Sequence, residues 1–345
     1  MTHSLIPVTN RPLNAETPLP VLTETVTPTD LFYVRNHFDV PPLEEETFEL
    51  RVDGAVERPL SLSLAEIKAL PQKTLRTAME CAGNGRIFME PKPAGTPWEL
   101  GAISVAEWTG TPLVDVLKLA GISEEAVEVL FVGADSGLVD KKAIHYERSL
   151  PVNLALDPNI LLVWAMNGEP LTPNHGYPLR LFIPGWYGMA SVKWLQQIRL
   201  ITLPFDGYYQ TYHYVYWDDD YAPDGEPLRQ MQVRALICSH SEGDEIPLIE
   251  QEISGVAWSG YGEVTRVEIS TSHDHWEEAT VSPATAPATT QRWSYRWRPS
   301  TPGEYTLRVR ATDAQGNTQL LRHRSNRLGY GNNAVHSVPV VVAAE

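Results

Sequence analysis

From Leu228 to the C-terminus the chain shows no helical period, only short runs in which apolar and polar residues take turns, and this limits its fold more than any other feature. In Tyr305-Thr306-Leu307-Arg308-Val309-Arg310-Ala311 the alternation is strict, as expected of a strand with one face on a core and the other in water. Comparable runs predict strands at 264–271, 293–297 and 335–342. Turn signals at Ser259-Gly260, Thr301-Pro302-Gly303 and Gln315-Gly316-Asn317 separate them. About 115 residues of this kind predict an immunoglobulin-like sandwich.

Upstream, helical and strand signals are interleaved. Residues up to 28 are rich in Pro, Thr and Asn without a period, which predicts an extended arm laid over a domain. Alternation predicts a strand at 47–54. Ser63-Leu64-Ala65-Glu66-Ile67 sets a capping serine ahead of an apolar i, i+3 pair and predicts a short helix. Pro112 and Gly121 frame a second helix over 112–120. Further strands are predicted at 126–133, 160–166, 179–183 and 193–203, without the regular βαβα alternation of a doubly wound sheet. The fold class is therefore α+β, divided into an arm (1–28), a mixed α/β domain (29–221) and an all-β sandwich (222–345).

With 27 Lys and Arg against 43 Asp and Glu, the net charge of −16 makes the chain a poor general binder of nucleic acid or anionic membrane. Its longest apolar stretch, 160–166, is far short of the roughly 20 residues that span a bilayer. The N-terminus carries no charged n-region, apolar segment or twin arginine, so a cytoplasmic location is expected. Two cysteines, Cys81 and Cys238, exclude a disulfide-rich scaffold and a four-cysteine zinc site within this chain.

Cys81 lies in Glu80-Cys81-Ala82-Gly83-Asn84-Gly85-Arg86, where glycines admit a bulky group and a nearby guanidinium favours the thiolate. Such a cysteine is a metal ligand, a nucleophile or simply a buried inert thiol. Tyr33-Val34-Arg35-Asn36-His37 crowds aromatic, cationic and imidazole groups together. His175-Gly176-Tyr177-Pro178-Leu179-Arg180 and, beyond it, Ser191-Val192-Lys193-Trp194 set cations among glycines and aromatics, a composition suited either to an anion cradle or to ordinary packing. His273-Asp274-His275 with His240 forms a weaker metal candidate, and an exposed strand end explains it more simply. The aromatic run 208–217 lacks the basic residues of a nucleic-acid platform and reads as a linker whose rings pack between domains, with Asp218-Asp219-Asp220 beyond it as a solvated turn.

Together with Pro97-Trp98-Glu99-Leu100-Gly101-Ala102-Ile103-Ser104, these motifs resemble, in order and over nearly the whole chain, the sulfite oxidase family of molybdopterin enzymes. The resemblance implies a molybdopterin-binding domain of sulfite oxidase type at 29–221 and a dimerising immunoglobulin-like domain at 222–345. It implies one molybdenum held by the dithiolene of one pyranopterin and by Cys81, with an oxo group passing from Mo(VI) to sulfite to give sulfate. Arg35, Arg86 and Trp98 match the family's anion pocket and Tyr214 its active-site tyrosine. His37, His175, Arg180, Ser191 and Lys193 match positions around the pterin and its phosphate, as do Tyr33, Asn36 and Asp135.

Leu328 stands where the family commonly carries a further pocket arginine, shortly before Asn333-Ala334-Val335-His336, and Arg327 is one place earlier. No segment ahead of Tyr33 reads as a haem domain, so haem is not expected, and electrons would leave to dioxygen or to a carrier such as a basic cytochrome c drawn by the acidic surface. A homodimer is expected by analogy. The alternatives are a related reductase acting on nitrate or a sulfoxide, and a catalytically silent binding module.

Overall fold

A computed structural model of the chain describes residues 3–218, 222–272 and 275–343. Its first half is built on two sheets. In one, Lys73–Glu80, Ile103–Pro112, Leu161–Met166 and Glu169–Pro170 lie side by side, with Arg180–Phe182 also paired to Leu161–Met166. In the other, the order is Leu60–Ser63, Glu49–Gly54, Leu195–Ile201, Glu128–Val139 and Lys142–Pro151, with Leu195–Ile201 parallel to Glu49–Gly54.

Local signals set the helices. The Leu64–Lys68 helix opens on a capping box: Glu66 N–H donates to Ser63 Oγ at 3.3 Å, and Ser63 N–H to Glu66 Oε2 at 2.8 Å. Leu113–Ala120 follows Pro112 and buries Leu113, Val116, Leu117 and Ala120, ending at Gly121 with φ of 70°. Among the described residues, no helix is long and apolar enough to cross a membrane.

The sandwich is one circuit of strands: Arg234–Ile237, Gln251–Trp258, Gln291–Trp297, His275–Val281, Val264–Ser272, Gly303–Asp313, His336–Val342 and Asp244–Ile246. The alternation that marked Gly303–Asp313 in sequence buries Leu307, Val309 and Ala311 on one face. They join Val267, Ile269, Trp293 and Val338 in a core of the domain's own.

Two expectations are revised. The residues expected as an extended arm form a hairpin, Ile6–Asn10 with Leu13–Glu16, whose Ala15 exchanges backbone hydrogen bonds with Val34 at 3.0 and 2.9 Å. Asn14 to Thr17 are buried, so this stretch is part of the first domain's interior. The strand expected at 126–133 runs on to Val139, because Lys142–Pro151 turns back to pair with it. Of the weak metal candidate, His273 and Asp274 lie outside the described residues, as do Asp219 and Asp220 of the acidic turn.

The halves are stitched beside the Lys73–Glu80 strand. The Ala288 carbonyl accepts from Ala78 N–H at 2.9 Å and Thr77 Oγ1 at 2.8 Å. This strand ends at Glu80, immediately before Cys81.

Candidate active site

Cys81 enters a loop that is fastened from both domains. Its N–H donates to the Ala102 carbonyl at 2.8 Å, and its own carbonyl accepts from Asn84 N–H at 2.9 Å. The buried Glu80 carboxylate accepts from Asn84 Nδ2 at 3.0 Å, Arg234 Nη1 at 3.2 Å and Trp258 Nε1 at 2.9 Å. Gly83 follows from crowding, since a Cβ there would lie 2.7 Å from the Arg86 guanidinium. The loop is thus fixed before any ligand arrives.

The free Cys81 thiol borders two cavities, which share Arg35, His37 and Tyr214 as well. The inner one is narrow, with a cavity volume of about 50 Å³. Tyr33, Arg35 and His37 reach it from the N-terminal motif, and His175, Arg180, Ser191 and Lys193 from the later one. Asp135 and Tyr214 complete the sequence-predicted residues in that wall. Asn36 sits behind the wall, accepting from Lys193 Nζ through Oδ1 and donating through Nδ2 to Asn174 Oδ1 at 3.2 Å. Arg86 and Trp98 belong to the outer cavity.

The inner wall is rich in cations that bond only neutral groups. Arg180 donates to the carbonyls of His175 at 2.9 Å and Ser191 at 3.1 Å, and Lys193 to that of Asn174 at 2.8 Å. Asp135 is the one carboxylate in this lining. Burial pushes the Lys193 amine well down and the Asp135 carboxyl up to about 6, while each draws the other back toward charge. Burial, then Lys193 and Arg180, pulls His175 down to about 3, so its imidazole is neutral. Buried atoms also remain unpartnered within the protein: His175 Nε2, Arg180 Nε and Asp135 Oδ1. Such atoms are costly unless a bound group satisfies them.

At Cys81 itself, burial raises the thiol pKa, while Arg35, the Gly83 N–H and Arg86 pull it down. Among the described residues no group of three or more His, Cys, Asp or Glu could hold a metal ion. A metal on this sulfur must therefore bring its other ligands with it. A pyranopterin dithiolene would do so, and the cations, unpartnered donors and unpartnered acceptor of the inner wall suit the chemistry of that group's heterocycle and phosphate.

In the outer cavity, Arg35 Nη1 donates to Asn14 Oδ1 at 3.2 Å and to the Asn36 carbonyl. Arg86 donates to the carbonyls of Gly329 at 3.2 Å and Thr96 at 2.8 Å, and lies 5.1 Å from the Tyr330 ring centre. Among the described residues, neither guanidinium has a carboxylate partner. Tyr214 Oη and His37 Nε2 are 2.5 Å apart, and burial, with Arg35 and Lys193, drives the His37 pKa well down. Leu328 lines this cavity, whereas Arg327 turns outward and rests 4.9 Å from the Trp217 ring.

Sequence reading missed several lining residues. Asn174 adjoins His175 and could have been found from that motif; Met79, Tyr146, Tyr330 and the buttress Asn14 carried no chemical signal of their own.

A buried thiol between a cation-lined chelator cavity and an anion pocket, on this fold, defines a molybdopterin-binding oxidoreductase domain. Residues 37–209 match the oxidoreductase molybdopterin binding domain, and residues 226–343 the Mo-co oxidoreductase dimerisation domain. Within that class the chain belongs to the sulfite oxidase family. It is 33% identical to the mitochondrial sulfite oxidase of Drosophila melanogaster over 99% of this chain and 64% of that protein. Against the sulfite oxidase of Arabidopsis thaliana, identity is 34% over 78% of this chain and 73% of the relative. Among solved structures, the sulfane dehydrogenase SoxCD of Paracoccus pantotrophus superposes with a TM-score of 0.81 at 26% identity, covering 98% of this chain and 88% of that one. The chain thus spans less than two thirds of the Drosophila relative's length.

Proposed function

We propose that the chain oxidises sulfite to sulfate in the outer cavity, with molybdenum bound to Cys81 and its pyranopterin in the inner one. The observation that carries this reading is the single thiol bordering both cavities, with Arg35 and Arg86 beside it. When bound, the molybdenum centre supplies a two-electron couple and the oxygen atom that sulfite gains.

The chain's own residues bind, orient and exclude water. Arg35 and Arg86 present planar donors to the anion's oxygens, and their carbonyl partners hold the guanidinium planes without neutralising them. Trp98, fully buried, walls the pocket. Tyr214 keeps its proton, since burial raises the phenol pKa, and its Oη shares a hydrogen bond with the neutral His37. Around the pterin, Tyr33, His175, Arg180, Ser191 and Lys193 supply ring faces and donors, with Asn36 and Asp135 setting the lysine.

In this reading residues 29–221 form the catalytic domain and 222–345 pair two copies. Electrons leave to dioxygen or a cytochrome c in a cytoplasmic setting, and the net charge of −16 favours a basic carrier. The test is sulfite-dependent reduction of ferricyanide by molybdenum-loaded protein. Arg35→Lys should raise the KM for sulfite about 10- to 100-fold, the equivalent of a charge-assisted hydrogen bond worth ~1.5–3 kcal/mol. Loaded protein that leaves sulfite unchanged would refute the reading.

A further inference from the structure

The outer cavity is larger than a bare three-oxygen anion, and part of its wall is apolar. Its cavity volume is about 170 Å³. A sulfite ion, the size of about two waters at ~30 Å³ each, would leave more than half of it unfilled. Its cations, Arg35 and Arg86, flank Cys81, and among the described residues no carboxylate lines it. Beside the polar His37, His213 and Thr96, one stretch of the wall is hydrocarbon and ring: Leu328, Val139, Tyr208, Tyr209 and Tyr330. Tyr330 stacks on Tyr214 at 5.1 Å between centres, and Tyr208 packs edge-on to Tyr209 at 5.1 Å, so these rings form a continuous surface. The nearest further arginine in sequence, Arg327, is committed to Trp217 outside.

We propose that the site also takes organic sulfinates, R–SO2⁻, and oxidises them to sulfonates, the SO2⁻ group lying on Arg35 and Arg86 and the substituent on Leu328 and the tyrosine rings. A sulfinate keeps the sulfur lone pair that sulfite uses but replaces one oxygen by carbon, which suits two guanidinia and an apolar wall. The balance is R–SO2⁻ + H2O → R–SO3⁻ + 2H⁺ + 2e⁻. One S–O bond forms at the lone pair, the oxygen comes ultimately from water, both protons go to solvent, and two equivalents of a one-electron acceptor take the electrons. This inference rests on the molybdenum reading above.

Titration calorimetry on the loaded protein tests binding with two fully oxidised, unreactive probes, benzenesulfonate and sulfate. Benzenesulfonate should bind at least ~10-fold tighter through ring burial. Leu328→Arg should reverse that order. Leu328→Gln, a milder change of similar length, should shift the ratio the same way by less, which covers misfolding of the arginine variant. Equal or tighter sulfate binding by the unmodified protein, or an unchanged ratio in both variants, overturns the proposal. Turnover separates the two readings, with ferricyanide as acceptor and ¹⁸O-labelled water as oxygen source. Labelled benzenesulfonate formed with two ferricyanides reduced supports sulfinate oxidation, whether or not sulfite reacts. Sulfite oxidation with benzenesulfinate untouched defeats this inference alone, and inertness toward both defeats both.

Discussion

The two halves of the molecule treat buried polar atoms in opposite ways. In the sandwich such groups close on one another: the buried Asp313 accepts from Ser259 Oγ at 2.7 Å, from Gln315 and Asn317 N–H at 3.0 Å each, and from Asn317 Nδ2. In the first half Trp98, Asp135, His175 and Arg180 each keep a buried atom with no partner in the protein. Among the described residues the two exceptions beyond residue 222 are Arg234 and His323, and both reach into the first half, to Glu80 and Glu90. A self-satisfied interior is built to hold itself together, whereas an incomplete one is built to be finished by something it binds.

The sharpest way to break this contrast is Cys81→Ser. Molybdenum content by elemental analysis should fall to background while the fold persists by circular dichroism; retained metal would mean that the Cys81 thiolate is not needed to hold it. Next comes the seam. Glu80→Ala leaves Arg234 buried without its carboxylate and should cost about 3–5 kcal/mol in denaturant unfolding, because a lone buried charge is far worse than a paired one. An effect below ~1 kcal/mol would show that the seam is wet and the halves nearly independent.

Asp313→Ala should cost about 1–3 kcal/mol by the same measurement, with metal content and sulfite KM unchanged, since its partners all lie in the sandwich. Lost metal would mean the halves do not divide as described. The smallest effect near neutral pH belongs to His336, whose Nδ1 accepts the Ile237 N–H at 3.0 Å. Burial, then Arg234, draws its pKa from 6.5 down to about 4. The unfolded chain takes up that proton first, so stability is full above 6.5 and erodes as pH falls toward 4. Melting curves across this window should be flatter in His336→Gln than in the unmodified protein; parallel curves would remove His336 from the account.

What could be read in the sequence was local. The capping box at Ser63 and Glu66, the Pro112 helix and the alternation of 305–311 each need only near neighbours, and each appears in the structure. The N-terminal hairpin did not show, because its burial is set by distant contacts, Ala15 to Val34 and Thr17 to Ser104. Lys142–Pro151 escaped for a similar reason: charges interrupt its alternation, and pairing with Glu128–Val139 overrides it. At the site, residues with chemistry of their own stood out, Cys81, Arg35 and Lys193 among them. Residues that aim them, such as Asn14 and Asn174, were silent, since a neutral amide becomes informative only through what it faces.

Because Asn14 Oδ1 accepts both from Arg35 Nη1 and from Asn36 N–H, the opening hairpin steers a guanidinium of the outer cavity from 21 residues upstream in the chain. An expression clone begun at residue 29 would therefore retain Arg35 and Arg86, yet leave Arg35 with one of its two acceptors.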